Sequence, residues 1–401
     1  MIEIFGPAAD GERYMWKDSP RITQVSLFDS DIEEKYSSRA ERIVTETNRE
    51  KLRNFADALK RPGYMDTRPF YQRRNRWDPK RQSQLIESIL INIPIPPLFV
   101  YETEPDRYEV MDGQQRISAI RSFYNNELVL KGLDRWPELN GRTYSKLPDI
   151  IKAGIDRRSI SWITVLNESS RDEEEAFQLK QLVFERLNTG GIKLSAQEIR
   201  NALYASPFNN LLLKLSRDDM HRESWGIPRF EKIEEEETPD YLINDRLYSE
   251  MGDIEVILRF FALRHAQHYG RGMRSFLDSY MYRARRLGKD ELDFLEEIYK
   301  RSLSLAHSIF QDLLFLPFDS KTGKWKSTKQ KALADAVLVS LASLEGNMEA
   351  LIANRDNIIA DLRTLFSNDD TKRLLTGRGN TKSDVIDRIE LMRSTFLRHL
   401  D

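Results

Sequence analysis

The hydrophobic pattern changes character along the chain. Residues 1–37 keep no sustained period and read as an irregular arm. From Ser38 to Lys60, Ile43, Val44, Leu52, Phe55, Ala56 and Leu59 predict an amphipathic helix whose first half is only weakly periodic. Asp78-Pro79 is a helix start, an N-cap carboxylate followed by Pro at the first helical position, and that helix runs through Leu85, Ile86, Ile89 and Leu90 to Ile93-Pro94. Pro96-Pro97 leads into a strand at Leu98–Tyr101. Glu104-Pro105-Asp106 is a turn, and Tyr108–Met111 a second strand. A helix from Gln114 to Tyr124 then buries Ile117, Ile120 and Phe123. After a polar loop around Trp136 to Arg142, Pro148–Ile155 reads as a short helix and Ser159–Leu166 as a strand. Arg171–Asn188 reads as a helix with an acidic first turn, stopped by Thr189-Gly190-Gly191, and Ser195-Ala-Gln-Glu198 is a capping box that opens the next.

Beyond Pro207 the pattern is helical almost throughout. Helices are expected at 240–249, 253–268, 272–287, 290–314, 328–345, 347–366 and 383–399, with an exposed acidic segment at Phe230–Asp240 and a loop at Lys321–Ser327. The fold class expected is α+β, with an arm and helix over residues 1–60, a mixed domain over 61–206 and a helical domain over 207–401.

Composition narrows the chemistry. The chain has 401 residues, 40% of them hydrophobic and 31% charged, enough for a sizeable core and too apolar for a disordered chain. It has no Cys, which excludes disulfides, thiolate zinc sites, iron–sulfur clusters and a Cys nucleophile. The start lacks a basic segment followed by an apolar one, and no apolar run approaches a membrane span, so a cytoplasmic protein without membrane contact is expected.

The formal net charge of −2 conceals two basic segments. Lys60–Arg81 holds eight Lys/Arg against two Asp, with Phe70, Tyr71 and Trp77 set among arginines that include Arg73, Arg74 and Arg76. Rings that stack and arginines that neutralise phosphate suit a nucleic-acid surface; a solvated loop anchored by its aromatics is the plain alternative. Residues 264–289 hold seven Lys/Arg against one Asp and make the second candidate face, through Arg271, Arg274, Arg283, Arg285 and Arg286; a solvated helix pair is the alternative there.

The sharpest local feature is Val110-Met-Asp-Gly-Gln-Gln-Arg116, set between a strand and a helix. Gly113 permits close backbone approach, the first helical turn offers N–H groups to an anion, and Arg116 carries a planar charge suited to phosphate. Gln114 and Gln115 offer donors and acceptors without charge. Asp112 could cap the helix, orient Arg116 or hold Mg²⁺. An ordinary capped helix with surface glutamines explains the same spacing. Arg186 and Asn188 stand near the tip of the helix that ends in Asn-Thr-Gly-Gly, where a glycine cap is a sufficient reading. No Walker A sequence is present, Gly270-Arg-Gly272 lacks the third glycine of a dinucleotide fingerprint, and His265-x-x-His268 has no nearby carboxylate or third His in sequence. Zinc, iron–sulfur and flavin groups are therefore not expected.

Tyr71-Gln72-Arg73 with Trp77, Ser88-Ile-Leu-x-Asn-Ile-Pro-Ile-Pro96, Asp112-Gly-Gln-Gln-Arg116, Phe184-Glu-Arg-Leu-Asn188 and Leu194-Ser-x-Gln-Glu-Ile-Arg-Asn201 occur in that order. This ordered set over residues 64–205 resembles the N-terminal domain of GmrSD-type modification-dependent restriction proteins. The resemblance implies a ParB/sulfiredoxin-like fold, with the Asp112–Arg116 segment at the phosphate-binding turn. It implies a nucleoside triphosphate site, with Mg²⁺, formed by Asp112, Gly113, Gln114, Gln115 and Arg116 and lined by Tyr71, Gln72, Arg73, Arg186 and Asn188. Asp112, Arg116 and Arg73 would serve hydrolysis. Such proteins usually add a His-Asn-His nuclease domain, but none of the five His here has that setting, so the nuclease half is missing, supplied by a partner chain, or replaced.

The function expected is a nucleotide-binding, NTP-hydrolysing component of a prokaryotic restriction-type defence system acting with DNA. A non-catalytic DNA-binding or adaptor protein and a metal-dependent nuclease built on the same domain remain alternatives. Expected partners are DNA and a separate nuclease or defence subunit, with self-association left open.

Overall fold

The computed structural model describes residues 4–16, 43–66, 77–166, 173–187, 195–235, 239–270 and 272–400. Contacts divide the chain into two units, Ile22–Leu194 and Met1–Arg21 with Ser195–Asp401. The protein is α+β: the first unit holds a mixed sheet and the second is helical. The division falls at Ser195, ahead of the expected boundary near 206, and the expected arm and helix over 1–60 is shared between the two units. Within 1–16 the chain forms a one-turn helix, α1 (Asp10–Tyr14), which belongs to the helical unit.

The sheet unit runs β1 (Thr45–Lys51), α2 (Leu52–Ala58), β2 (Met65–Asp66), α3 (Pro79–Leu90), β3 (Leu98–Glu104), β4 (Arg107–Asp112), α4 (Gln114–Tyr124), α5 (Asp149–Asp156), β5 (Ser159–Val165) and α6 (Glu173–Leu187). The strands lie in the order β1-β5-β3-β4-β2, with β1/β5 and β3/β4 antiparallel and β5/β3 and β4/β2 parallel. β1 corrects the helix expected from Ser38: residues 45–51 include no apolar side chain, so no helical stripe exists to bury, and the segment pairs along the sheet edge instead. Helix begins only at Leu52, whose run buries Leu52, Phe55, Ala56 and Ala58.

Alternation along the central strands separates two faces. Leu98, Val100 and Val110 point into a core with Ile86 and Ile89 of α3 and Ile117, Ile120 and Phe123 of α4. Tyr101 and Glu109, paired across β3 and β4, meet Lys180 of α6, whose ammonium lies 2.9 Å from Glu109 Oε2 and 4.2 Å from the Tyr101 ring centre. The expected Asp78 cap of α3 is present, its carboxylate accepting the Arg81 N–H at 2.6 Å.

The helical unit continues with α7 (Ala196–Leu203), α8 (Pro207–Leu215), α9 (Asp219–Trp225), α10 (Asp240–Ile243), α11 (Arg246–Ser249), α12 (Gly252–Leu263) and α13 (Met273–Ala284). It closes with α14 (Lys289–Phe310), α15 (Lys331–Ala342), α16 (Met348–Ala353), α17 (Arg355–Ser367), α18 (Asp369–Leu375) and α19 (Lys382–Leu397). The loop at 321–327 holds part of a small hairpin, β6 (Phe318–Asp319) with β7 (Lys324–Trp325). Nearly all of α12 and all interior positions of α15 are buried, so these two form the centre, as helices apolar around their circumference must. The capping box at Ser195 and Glu198 is present.

Buried charges are matched in this unit. Arg259 of α12 makes a two-point contact with Asp335 of α15. Arg222 holds Glu234 with two bonds of 2.7 Å, so Glu234 is buried inside the segment expected to be an exposed acidic loop or helix start. Glu12 of α1 accepts Arg264 Nη1 at 2.9 Å and Nη2 at 3.2 Å, and lies 3.1 Å from His265 Nε2. Burial pushes the Glu12 carboxyl up, but the Arg264 guanidinium, the His265 bond and the Ala9 N–H outweigh it and hold it below the ordinary range. Residues 4–16 of the expected arm are thus a strap fixed by an ion pair. Trp16 completes it, stacking on His268 at 4.6 Å between ring centres.

Two outcomes follow. Glu12→Ala leaves the Arg264 charge buried and unpaired, and urea unfolding of the full chain is expected to show a loss of about 3–5 kcal/mol. Acidification acts in the same direction. Burial, with His265, Lys382 and Arg283 nearby, pushes His268 down to about 4. An unfolded His titrates near ~6.5, so between these values the unfolded chain takes up a proton that the folded chain refuses. Stability is full above that window and falls as pH drops through it. The urea midpoint should be lower at mildly acidic than at neutral pH, and His268→Phe, which keeps the ring stack, should shrink the difference.

Candidate functional site

β4 ends at Asp112 and α4 begins at Gln114, so the whole turn between them is Gly113. Its φ of 98° lies in the left-handed region, and a Cβ there would stand 2.3 Å from Leu98 Cδ2. A side chain at 113 would meet both backbone strain and a fully buried leucine, so the position requires glycine. No side chain caps α4. Asp112 therefore does not serve as the cap, and the positive end of the helix dipole lies at this turn.

Asp112 instead orients Arg116. Arg116 Nη2 donates to Asp112 Oδ2 at 2.5 Å, while Nη1 donates to the Pro96 carbonyl and, at 3.3 Å, to the Pro97 carbonyl. An arginine has five N–H groups, so these contacts leave Nε–H and one Nη2 hydrogen. The Arg116 side chain is 11% exposed and Asp112 47%. Burial lowers the Arg116 pKa and the Asp112 carboxylate opposes that shift. The exposed member of the pair is the acid. Arg116 is the strut behind it, offering at most its two remaining hydrogens to a phosphate.

The glutamines divide between the interior and the rim. Gln114 is buried and donates to the Val110 carbonyl at 3.3 Å. Gln115 Oε1 accepts the Trp77 N–H at 3.1 Å, and Gln82 Nε2 donates to the Trp77 carbonyl at 2.8 Å. Trp77 closes the basic aromatic segment of the sequence, so that end of the segment is tied to the motif. Tyr71, Gln72, Arg73, Arg74, Arg76, Asn188 and Arg271 lie outside the described residues. Arg186 is exposed on α6, the helix that Lys180 fixes to β4.

The second basic segment is partly spent inside the helical unit. Arg264 is buried against Glu12, and Arg283 lies over Trp16 and donates to the Met15 carbonyl at 2.7 Å. Arg285 is half-buried, 4.2 Å from the Tyr282 ring centre, which leaves Arg274, Arg286 and Lys289 as its exposed cations among the described residues. His265 and His268 are engaged by Glu12 and Trp16.

The half-exposed Asp112 carboxylate is an oxygen donor of the kind Mg²⁺ takes. Mg²⁺ is commonly held by one or two carboxylates together with substrate phosphates and water. An exposed carboxylate beside an anion-binding helix end would repel a bare phosphate, and a divalent cation between them removes that conflict. Among the described residues no three acidic or His side chains gather as a metal cluster, so Asp112 would be the protein ligand there.

Sequence reading missed the partners that fix Arg116. Pro96 and Pro97 lack N–H groups, so they cannot donate to a sheet ladder while their carbonyls still seek donors; that was the available signal. It also missed Lys180 and Glu109, which nothing in the local pattern marks.

No helix of the described residues is long and apolar enough to cross a membrane. No curated protein and no solved structure matches the chain. Residues 26–205 match the family described as the GmrSD restriction endonuclease, N-terminal domain. The matched span contains both the Asp112–Arg116 turn and Trp77, and it points to a restriction-type defence protein. Residues 26–205 are therefore a domain of the GmrSD restriction endonuclease N-terminal family.

Proposed function

We propose that this domain binds a nucleoside triphosphate with Mg²⁺ at the Asp112–Arg116 turn and hydrolyses it, as part of a restriction-type system acting on DNA. The observation that carries the reading is the turn itself: a glycine-initiated helix N-terminus beside a half-exposed carboxylate, held in place by a mostly buried arginine. The family resemblance suggests the nucleotide, and the helix end and the Asp112 oxygen support a phosphate and a cation at one point.

In this reading the α4 N-terminus would bind phosphate oxygens and Asp112 would hold Mg²⁺, which would supply neutralising charge for the phosphates. Water oxygen attacks the terminal phosphorus, the bond to the bridging oxygen breaks, and the nucleoside diphosphate leaves with that electron pair. The proton from water ends on the phosphate product. Arg116 keeps Asp112 fixed, so the charge need not reorganise during the reaction. Arg73, assigned from the resemblance, would neutralise charge that develops on the transferred group. Tyr71, Gln72 and Arg186 would line the nucleotide. The exposed Arg274 and Arg286, with Arg74 and Arg76, would contact DNA phosphates, and the nuclease activity would come from a separate chain.

Asp112→Asn tests this while keeping the Arg116 contact, because an amide oxygen can still accept the Arg116 Nη2 hydrogen. Phosphate release is expected to fall about 100-fold, the scale of one lost transition-state contact, with folding unchanged by circular dichroism. Equal release by the two proteins, or no nucleotide binding by the unmodified chain, would sink the reading. Arg116→Ala is a poorer probe, since it leaves two proline carbonyls and a carboxylate without their donor.

A further inference from the structure

We infer that a groove beside Trp136, apart from the Asp112 turn in sequence, holds an unstacked base of single-stranded DNA, with Arg135 and Arg142 on its flanking phosphates. This deepens the DNA half of the proposed function and rests on it.

The groove measures about 480 Å³ and is lined by Trp136, Leu139, Ile150 and Ile151 together with Arg135 and Arg142. A space of this size falls in the range of small-ligand sites and suits one nucleotide better than a duplex. Its apolar wall is open to water: Trp136 is 38% and Ile150 82% exposed. An aromatic face with apolar neighbours accepts any base by stacking, and the two guanidinium groups outnumber the one carboxylate, Glu138, at the rim. That charge balance favours a polyanion over an acidic or neutral peptide.

The loop that carries these side chains is held rigid from beneath. Glu87 of α3 is nearly fully buried, and its carboxylate accepts the backbone N–H groups of Asp134 at 3.3 Å, Arg135 at 2.8 Å and Trp136 at 2.9 Å. Ser83 Oγ accepts the Lys131 N–H at 3.1 Å, and Asn140 Oδ1 that of Leu133 at 3.1 Å. Burying a carboxylate is costly unless its bonds are satisfied. Here three backbone donors satisfy it, and the result is a fixed platform that turns Trp136 and Arg135 outward. A loop so pinned, with an exposed tryptophan at its tip, loses little entropy when it binds.

The test uses the full chain and fluorescence anisotropy with fluorescein-labelled oligothymidylate. Trp136→Ala is expected to weaken binding about tenfold, the scale of one lost base stack, and Trp136→Phe to restore most of it. Arg135→Ala with Arg142→Ala should weaken binding and flatten its salt dependence. If Trp136→Ala binds as tightly as the unmodified chain, the groove belongs to another occupant and the inference is overturned, while the DNA reading survives. If the unmodified chain binds no single strand, the groove inference and the DNA half of the function fall together, and phosphate release stands as a separate result.

Discussion

The sheet unit depends on one constraint, the fixing of Arg116 between the Pro96 and Pro97 carbonyls and Asp112. Those carbonyls stand just before β3, and Asp112 is the last residue of β4. A single guanidinium thus joins the start of one central strand to the end of its neighbour and to the first turn of α4. The contact is charge-assisted and mostly buried, which makes it stronger than a neutral bond of the same length and costly to break. With Gly113 in a conformation that only glycine adopts easily, the turn has little freedom left. The exposed carboxylate and the open helix end keep a fixed relation before any ligand arrives, which is what electrostatic preorganisation requires.

The helical unit follows the same rule of matching buried charge, for a different end. Arg259 meets Asp335, Arg222 meets Glu234, and Arg264 meets Glu12. Removing one member of such a pair costs far more than the pair contributes over an apolar substitute, so these contacts specify which elements meet more than they add stability. They also alter the meaning of the charge count. Two of the cations that give residues 264–289 their basic balance are committed to α1 and the segment after it. The first basic segment is different, since its terminal Trp77 backbone reaches Gln115 and so brings that end to the motif.

Local signals were legible where caps and periods set them. Asp78-Pro79, the Gly113 turn, the Gln114–Tyr124 helix and the Ser195 capping box all lie where the residues place them, because each rests on contacts a few positions apart. β1 was not legible: a polar edge strand exposes both faces and carries no alternation to find. Glu12 and Arg264 are 252 positions apart, and no local rule joins an acid in an aperiodic start to an arginine in a basic run. Glu87 shows the same limit. A glutamate on an amphipathic helix reads as a solvated face, and only the fold reveals three backbone donors around it. At the Asp112–Arg116 turn the division of labour was not readable: burial makes Arg116 the support and Asp112 the accessible group.

Helix α3 is where these local arrangements meet. At its N-terminal end, Asp78 caps the helix and Gln82 holds the Trp77 carbonyl, while the Trp77 N–H goes to Gln115 on α4. Further along the same helix, Ser83 and Glu87 hold the loop that presents Trp136. From residue 79 to residue 87 the helix rise amounts to about 12 Å, a span that a continuous helix keeps fixed. The two candidate ligand surfaces are therefore mounted on one rigid element, each through polar bonds to it. Burial of Leu85, Ile86 and Ile89 against the sheet prevents the helix from answering one surface while ignoring the other. Helix α3 thus connects the Asp112 turn to the Trp136 groove physically, through the bonds of Gln115 at one end and Glu87 further along.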